Sequence, residues 1–286
     1  MKRIFLLPLF LIFAFSGFGQ TIKGRITDAK SGQALPFVNI GVVGKALGTV
    51  SNEQGLFELA FPDRLANDTV RISSLGYDTR NLTLRQLSTQ PQLALSPAPV
   101  ALAEVQVSAK SGFRRTHTLG FTKKGDGVTL VLDSKDLGAQ MGTVVYLKRK
   151  PTKILSAHFN VAHNHVGPLT FRLNLYRLDA KGRPTDQKLL TRDVVQTSAI
   201  EQGTLSFDLR ADRLILDEDF FLALEWVGGG TAAKVHKGLG FSAGIGFANN
   251  NIYLREVSHD SWERLSVGAA MAGMQPKLSF YVTVQD

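Results

Sequence analysis

Apolar and polar residues alternate through most of this chain, in short runs broken by glycine, proline and Asp/Asn-rich turns. That pattern constrains the fold more than any other feature. Ile22, Gly24 and Ile26 alternate with Lys23, Arg25 and Thr27; Val38, Ile40 and Val42 share one face, and Phe57, Leu59 and Phe61 another. A period of two sends successive side chains to opposite sides of a strand, so each run reads as a strand with one buried face. Val70 with Ile72, Leu82 with Leu84, Leu93 with Leu95 and Val105 with Val107 continue the series. Turn residues from Asp28 to Gln33 and between Gly48 and Gly55 separate the runs. About seven short strands at this spacing predict an antiparallel β-sandwich over residues 20–108.

Several stations in this stretch have a recognisable order. Gly24 and Asp28 open it, and Leu35-Pro36 precedes Val38, Ile40 and Val42. Gly48-Thr49 is followed by Asn52, Gly55 and Phe57; then come Leu75-Gly76-Tyr77 and the exit Glu104-Val105-Gln106-Val107. Together they resemble the carboxypeptidase-regulatory-like domain, a transthyretin-like β-sandwich found at the N-terminus of many outer-membrane receptors and surface proteins of Bacteroidetes-type bacteria. The resemblance implies a non-catalytic role. Gly48, Gly55 and Gly76 suit positive φ or close backbone approach. Tyr77 can close a sandwich corner through its hydroxyl, and Asn52 can bond its own turn.

After a basic stretch expected as a linker or transitional strand (109–125), alternation returns over 126–286. Leu155, Ala157, Phe159 and Val161 share a face, as do Phe171, Leu173 and Leu175, then Leu205, Phe207 and Leu209, and finally Leu278, Phe280, Val282 and Val284. The run Phe220 to Val227 is apolar on both faces and reads as a central strand. The fold class is therefore all-β: a transthyretin-like sandwich followed by a jelly-roll-like sandwich. The second half resembles a sandwich of Bacteroidetes surface proteins, which implies no reaction.

Lys2 and Arg3 precede an apolar run from Ile4 to Phe15, and Gly17 and Gly19 are small residues placed for a cut before Gln20. Residues 1–19 are expected to be a signal peptide, and the apolar run is short for a membrane span. The chain is expected in the periplasm or at the outer-membrane surface, where peripheral association with that membrane is compatible with its charge. Without cysteine there is neither disulfide nor Cys-bound zinc. The net charge of +9 favours anionic partners such as acidic polysaccharide or a lipopolysaccharide surface; export argues against nucleic acid. A merely solvated basic surface is the plainer account of the same charge.

No reaction motif emerges. His158, His163 and His165 suggest a metal, but HExxH is absent and no carboxylate sits at a familiar ligand spacing, so surface roles fit them better. No GxSxG occurs, and the glycines of 238–251 carry no Walker lysine. Neither catalytic residues nor a cofactor are assigned. Glu225, inside Phe220 to Val227, needs a cationic or hydrogen-bonding partner if buried, and a structural Arg–Glu pair supplies one. Tyr253 and Trp262 lie in polar surroundings and are the candidate ligand-binding residues, exposed rings able to stack on a pyranose; packing of the same rings is the alternative. The expectation is an exported, non-catalytic binding or accessory protein recognising a glycan or an envelope protein, in the latter case through added sheet strands. An envelope carbohydrate hydrolase using carboxylates such as Glu225 is the alternative, and a structural spacer a third reading.

Overall fold

A computed structural model describes residues 19–98, 112–125, 127–132, 136–230, 238–246, 251–265 and 274–286. The expected signal peptide up to residue 18 and the expected exit strand with Val105 and Val107 lie outside them. Among the described residues the chain is almost entirely β, and no helix is long and apolar enough to cross a membrane.

The first sandwich uses β1 (Gly19–Asp28), β2 (Asn39–Val42), β3 (Gly48–Val50), β4 (Leu56–Pro62), β5 (Thr69–Ser73), β6 (Arg80–Thr83) and β7 (Gln92–Leu95). They form a three-stranded sheet, β4-β1-β7, and a four-stranded sheet, β3-β2-β5-β6. Only β1 and β7 run parallel among these pairs. The alternating residues meet between the sheets: Ile22, Ile26, Ile40, Phe57, Leu59 and Ile72 are all buried. Asn52 accepts from the backbone of Gln54 and Leu56, and the Tyr77 hydroxyl donates to Asp28 at 2.9 Å, tying the opening strand to the Gly76 turn.

Leu84 departs from the strand expected for it. It opens α1 (Leu84–Thr89), because Thr83 and Gln86 form a reciprocal capping box that satisfies the first-turn amides. Leu84 and Leu87 still reach the core, from a helix one turn apart instead of from a strand.

The second sandwich comprises β8 (Thr116–Gly120), β9 (Thr129–Val131), β10 (Gln140–Val145), β11 (Thr152–Asn164), β12 (Leu169–Leu178), β13 (Pro184–Lys188), β14 (Val194–Ser198) and β15 (Gly203–Asp208). It continues with β16 (Ile215–Leu216), β17 (Phe220–Gly229), β18 (Leu239–Gly246), β19 (Ile252–Arg255), β20 (Glu263–Arg264), β21 (Gln275–Leu278) and β22 (Phe280–Gln285). One sheet has the order β13-β12-β17-β10-β19-β20 with β14 also on β12. The other has the order β21-β18-β11-β22-β8, with β15 and β16 on β11 and β9 on β18. Strand β8 lies inside the stretch expected as a linker or transitional strand and pairs with β22 from Thr116 to Gly120, so the second sandwich begins before residue 126.

Phe171, Leu173, Leu222, Leu224 and Trp226 from one sheet pack against Ala157, Phe159, Phe280 and Val282 from the other. A bulge between Ile154 and Ser156 corrects one expected face: Ile154 is fully buried, while Leu155 is only half-buried. One extra residue shifts the strand's facing by one position.

Candidate functional site

Register assembles the site. On the outer face of the seven-stranded sheet, Arg172 of β12 lies opposite Glu225 of β17, Glu225 opposite Gln140 of β10, and Gln140 opposite Arg255 of β19. Four adjacent strands thus carry one row of charged and amide side chains, each at most 5% exposed. Glu225 Oε1 accepts from Ser258 at 2.8 Å, and Oε2 accepts from Asn174 at 2.6 Å and from Arg172 at 3.4 Å. Arg255 donates to the Tyr176 hydroxyl at 2.9 Å and to Asp186 at 2.7 Å; the Tyr176 hydroxyl donates to Gln140 at 2.9 Å. The expected arginine partner of Glu225 is therefore Arg172.

Burial opposes ionisation of Glu225 most strongly. Arg172, then Lys188, Asn174 and Ser258, outweigh it and hold the carboxyl below its ordinary value. Lys188 is pushed down by burial and by nearby Arg172.

The first sandwich covers this row. Arg172 donates to Asn39 at 3.1 Å and to the Phe37 carbonyl. The Gly44 amide donates to the His259 carbonyl at 3.0 Å, and His259 Nε2 lies 3.0 Å from Ser73 Oγ. Backbone approach at the seam is close: a Cβ on Gly41 would sit 2.1 Å from the Ser258 carbonyl oxygen. Phe37 and His259 adopt φ of 55° and 76°, a region that side-chain-bearing residues rarely occupy. Burial, with help from Arg255, pushes the His259 imidazole down to about 4, so it is neutral near pH 7.

Beside these contacts a cleft of about 510 Å³ opens between the sandwiches. Asn39, Arg71, Ser73, Ser74, Thr79 and Asn81 line it from the first sandwich; Arg172, Tyr176, Asp186, Lys188, Arg255, Ser258 and His259 line it from the second. Arg71 is engaged by Asn81 at 3.3 Å; among the described residues the buried Nε atoms of Arg172 and Arg255 have no hydrogen-bond partner, although Arg172 Nε lies 3.6 Å from Asp193. The arrangement offers many donors and acceptors over a floor whose own charges are already matched.

Tyr253 and Trp262 do not form the exposed pair expected of them. Tyr253 is 8% exposed, and its ring meets Phe221 edge-on at 5.9 Å. Trp262 is half-buried, 4.8 Å from the Phe221 ring, with the Arg255 guanidinium 4.2 Å over its face. The cause is again the register: Tyr253 pairs with Gly142, which pairs with Ala223, and these small residues leave room for large rings to fold down. A Cβ on Gly142 would lie 2.6 Å from the Phe221 ring. The two residues cap an aromatic cluster next to the cleft, and Trp262 reaches the site only through Arg255.

His158 lies within 2.9 Å of hydroxyls of Ser156, Ser206 and Thr283 and stacks on Tyr281; burial and then Lys124 lower its pKa. His163 and His165 stack on each other at 5.2 Å. Among the described residues no group of three or more His, Cys, Asp or Glu is placed to hold a metal ion. Sequence reasoning missed Arg71, Lys188, Arg255 and His259. The one available signal was the polar series Arg172, Asn174 and Tyr176 beside an apolar-on-both-faces neighbour strand.

Among solved structures, the chain is similar to the clostridial cysteine protease Cwp84 after propeptide cleavage, at 9% identity and a TM-score of 0.43, covering 92% of this chain and 70% of that one. It is also similar to the cysteine protease and lectin-like domains of Cwp84, a surface layer associated protein of Clostridium difficile, at 8% identity and a TM-score of 0.40, covering 87% of this chain and 58% of that one. The infectious bursal disease virus VP2 subviral particle gives 9% identity and a TM-score of 0.26, covering 93% and 64%. No curated protein matches the chain. Residues 22–107 match the family described as CarboxypepD_reg-like domain, so the first sandwich is a carboxypeptidase-regulatory-like domain.

Proposed function

We propose that the chain is an exported, non-catalytic binding protein of a Bacteroidetes-type cell envelope, and that it takes a glycan segment into the cleft between its two sandwiches. The observation that carries this reading is the lining of the cleft: hydroxyl, amide, imidazole and guanidinium groups from both sandwiches around a recess of about 510 Å³. Sugar hydroxyls donate and accept at once, and such a lining offers both partners in a fixed frame. The charged leader at Lys2 and Arg3, with the apolar run after it, supports export to the periplasm or the outer-membrane surface.

The state of Glu225 supports a non-catalytic role. It has no exposed surface, and both its oxygens are occupied by Arg172, Asn174 and Ser258. A general acid needs a raised pKa and a path to the glycosidic oxygen; Glu225 has a lowered one beneath the first sandwich. Asp186, at the cleft, is held by Arg255.

Calorimetric titration of the purified chain with neutral and acidic oligosaccharides tests the reading, alongside Asn81→Ala and Arg71→Ala in the cleft wall. Saturable binding that weakens at least tenfold in both variants is the expected result. A parent chain that binds no member of the panel, or variants that bind as the parent does, overturns the cleft as the site.

A further inference from the structure

A second recess, of about 300 Å³, lies on the second sandwich alone, where the rim of β10 faces β8 and β21. Its floor is apolar, formed in part by buried Leu119 and Leu278. Two aromatic rings border it. Tyr146, directly after β10, is 57% exposed, the highest value among the large apolar residues that stand out into solvent. Phe121 is held flat, since a Cβ on Gly244 of β18 would lie 2.5 Å from its ring. Lys277 sits opposite Gly244 in the β18–β21 ladder, and Lys148 follows Tyr146 on the rim. No carboxylate lines the recess, and among the described residues neither lysine has a salt-bridge partner, in contrast to the matched charges of the cleft. Asn251 is fixed by its neighbours: it accepts from Thr143 at 3.2 Å and donates to the Val144 carbonyl at 3.3 Å.

We infer that this recess binds an anionic saccharide, with the Tyr146 ring against the C–H face of a sugar and the ammonium groups of Lys148 and Lys277 on its carboxylate. An exposed ring beside an apolar floor suits the C–H face of a pyranose. Two cations with no salt-bridge partner among the described residues supply the charge that a neutral sugar leaves unmatched. This site stands apart from the cleft, so the two assignments can fail separately.

The test is titration of the full chain with oligogalacturonate and with an uncharged oligosaccharide of the same length, at low and high salt. Expected results are preference for the acidic ligand, a loss of at least tenfold in Tyr146→Ala, retention in Tyr146→Trp, and a similar loss in the Lys148→Gln/Lys277→Gln double variant. These titrations are made in an Asn81→Ala/Arg71→Ala background, so that binding in the cleft does not mask the recess. Three results would overturn the inference: no binding of oligogalacturonate, equal binding of the neutral oligosaccharide, or binding that salt removes while Tyr146→Ala leaves it intact. The last would mean that charge alone was at work.

Discussion

Replacing Arg172 with leucine is the most informative perturbation of the seam. Arg172 is 1% exposed and Glu225 is fully buried, so the substitution leaves a carboxylate sealed from water and stripped of its main counter-charge. Breaking a buried pair from one side costs about 3–5 kcal/mol. Lys188, whose ammonium is held down by burial and already pairs with Asp193 at 3.7 Å, offsets only part of that loss. With a urea slope of about 3 kcal/mol per molar, the midpoint should fall by about 1–1.7 M. Both tryptophans, Trp226 and Trp262, lie in the second sandwich, so fluorescence reports the unfolding of that part directly.

The pH dependence should reverse sign in this variant. In the parent, the pKa of Glu225 is held below its ordinary 4.5, so its contribution is present above that value and is lost as pH falls through the folded pKa. In Arg172→Leu, burial acts without Arg172 and raises the pKa, so stability is greatest at low pH and falls as pH rises. Removing both partners, as Arg172→Leu/Glu225→Leu, should cost clearly less than the sum of the single changes. A single variant within about 1 kcal/mol of the parent at pH 8, or strictly additive single costs, would refute the role given to the pair.

Other expectations follow from single positions. His259, neutral with a pKa near 4 in the folded chain and near 6.5 when unfolded, should cost about 3 kcal/mol of stability as pH falls from 6.5 to 4; His259→Asn, which tolerates positive φ, should flatten that slope in urea titrations. Gly41→Ala forces a methyl into the Ser258 carbonyl, so hydrogen exchange at the Gly44 amide should accelerate while amides within both cores stay protected; unchanged exchange at Gly44 would show that the seam yields without opening. Thr83→Ala removes the cap of α1 and should cost about 1 kcal/mol in the unfolding of the first sandwich, and a loss under a few tenths would show that the box contributes nothing.

The cores were legible because their signal is local. Ile22 and Ile26, or Phe280, Val282 and Val284, declare a buried face within a few residues. Two misreadings came from equally local signals read at the wrong period. The Thr83 to Gln86 box marks a helix start that the Leu82–Leu84 alternation hides, and the bulge after Ile154 moves the face on which Leu155 was expected. The candidate site was hidden for a different reason. Arg172, Asn174 and Tyr176 alternate with core residues as an exposed row would, and the cover over Arg172 comes from Phe37 and from Asn39, 133 positions earlier in the chain. Tyr253 and Trp262 misled in the opposite direction. Their neighbours are polar, yet the room that buries their rings is made by Gly142 and Ala223 on other strands.

The hydrogen bonds that cross the seam between the sandwiches are made by groups that water satisfies as well as protein does. If the chain parts there, Arg172, Glu225, Asn39 and Ser73 become hydrated, and the apolar surface laid bare is limited to side chains such as Val50 and Val257. Each sandwich keeps its own core, so detachment, proteolytic trimming or recombination of one half need not precipitate the other.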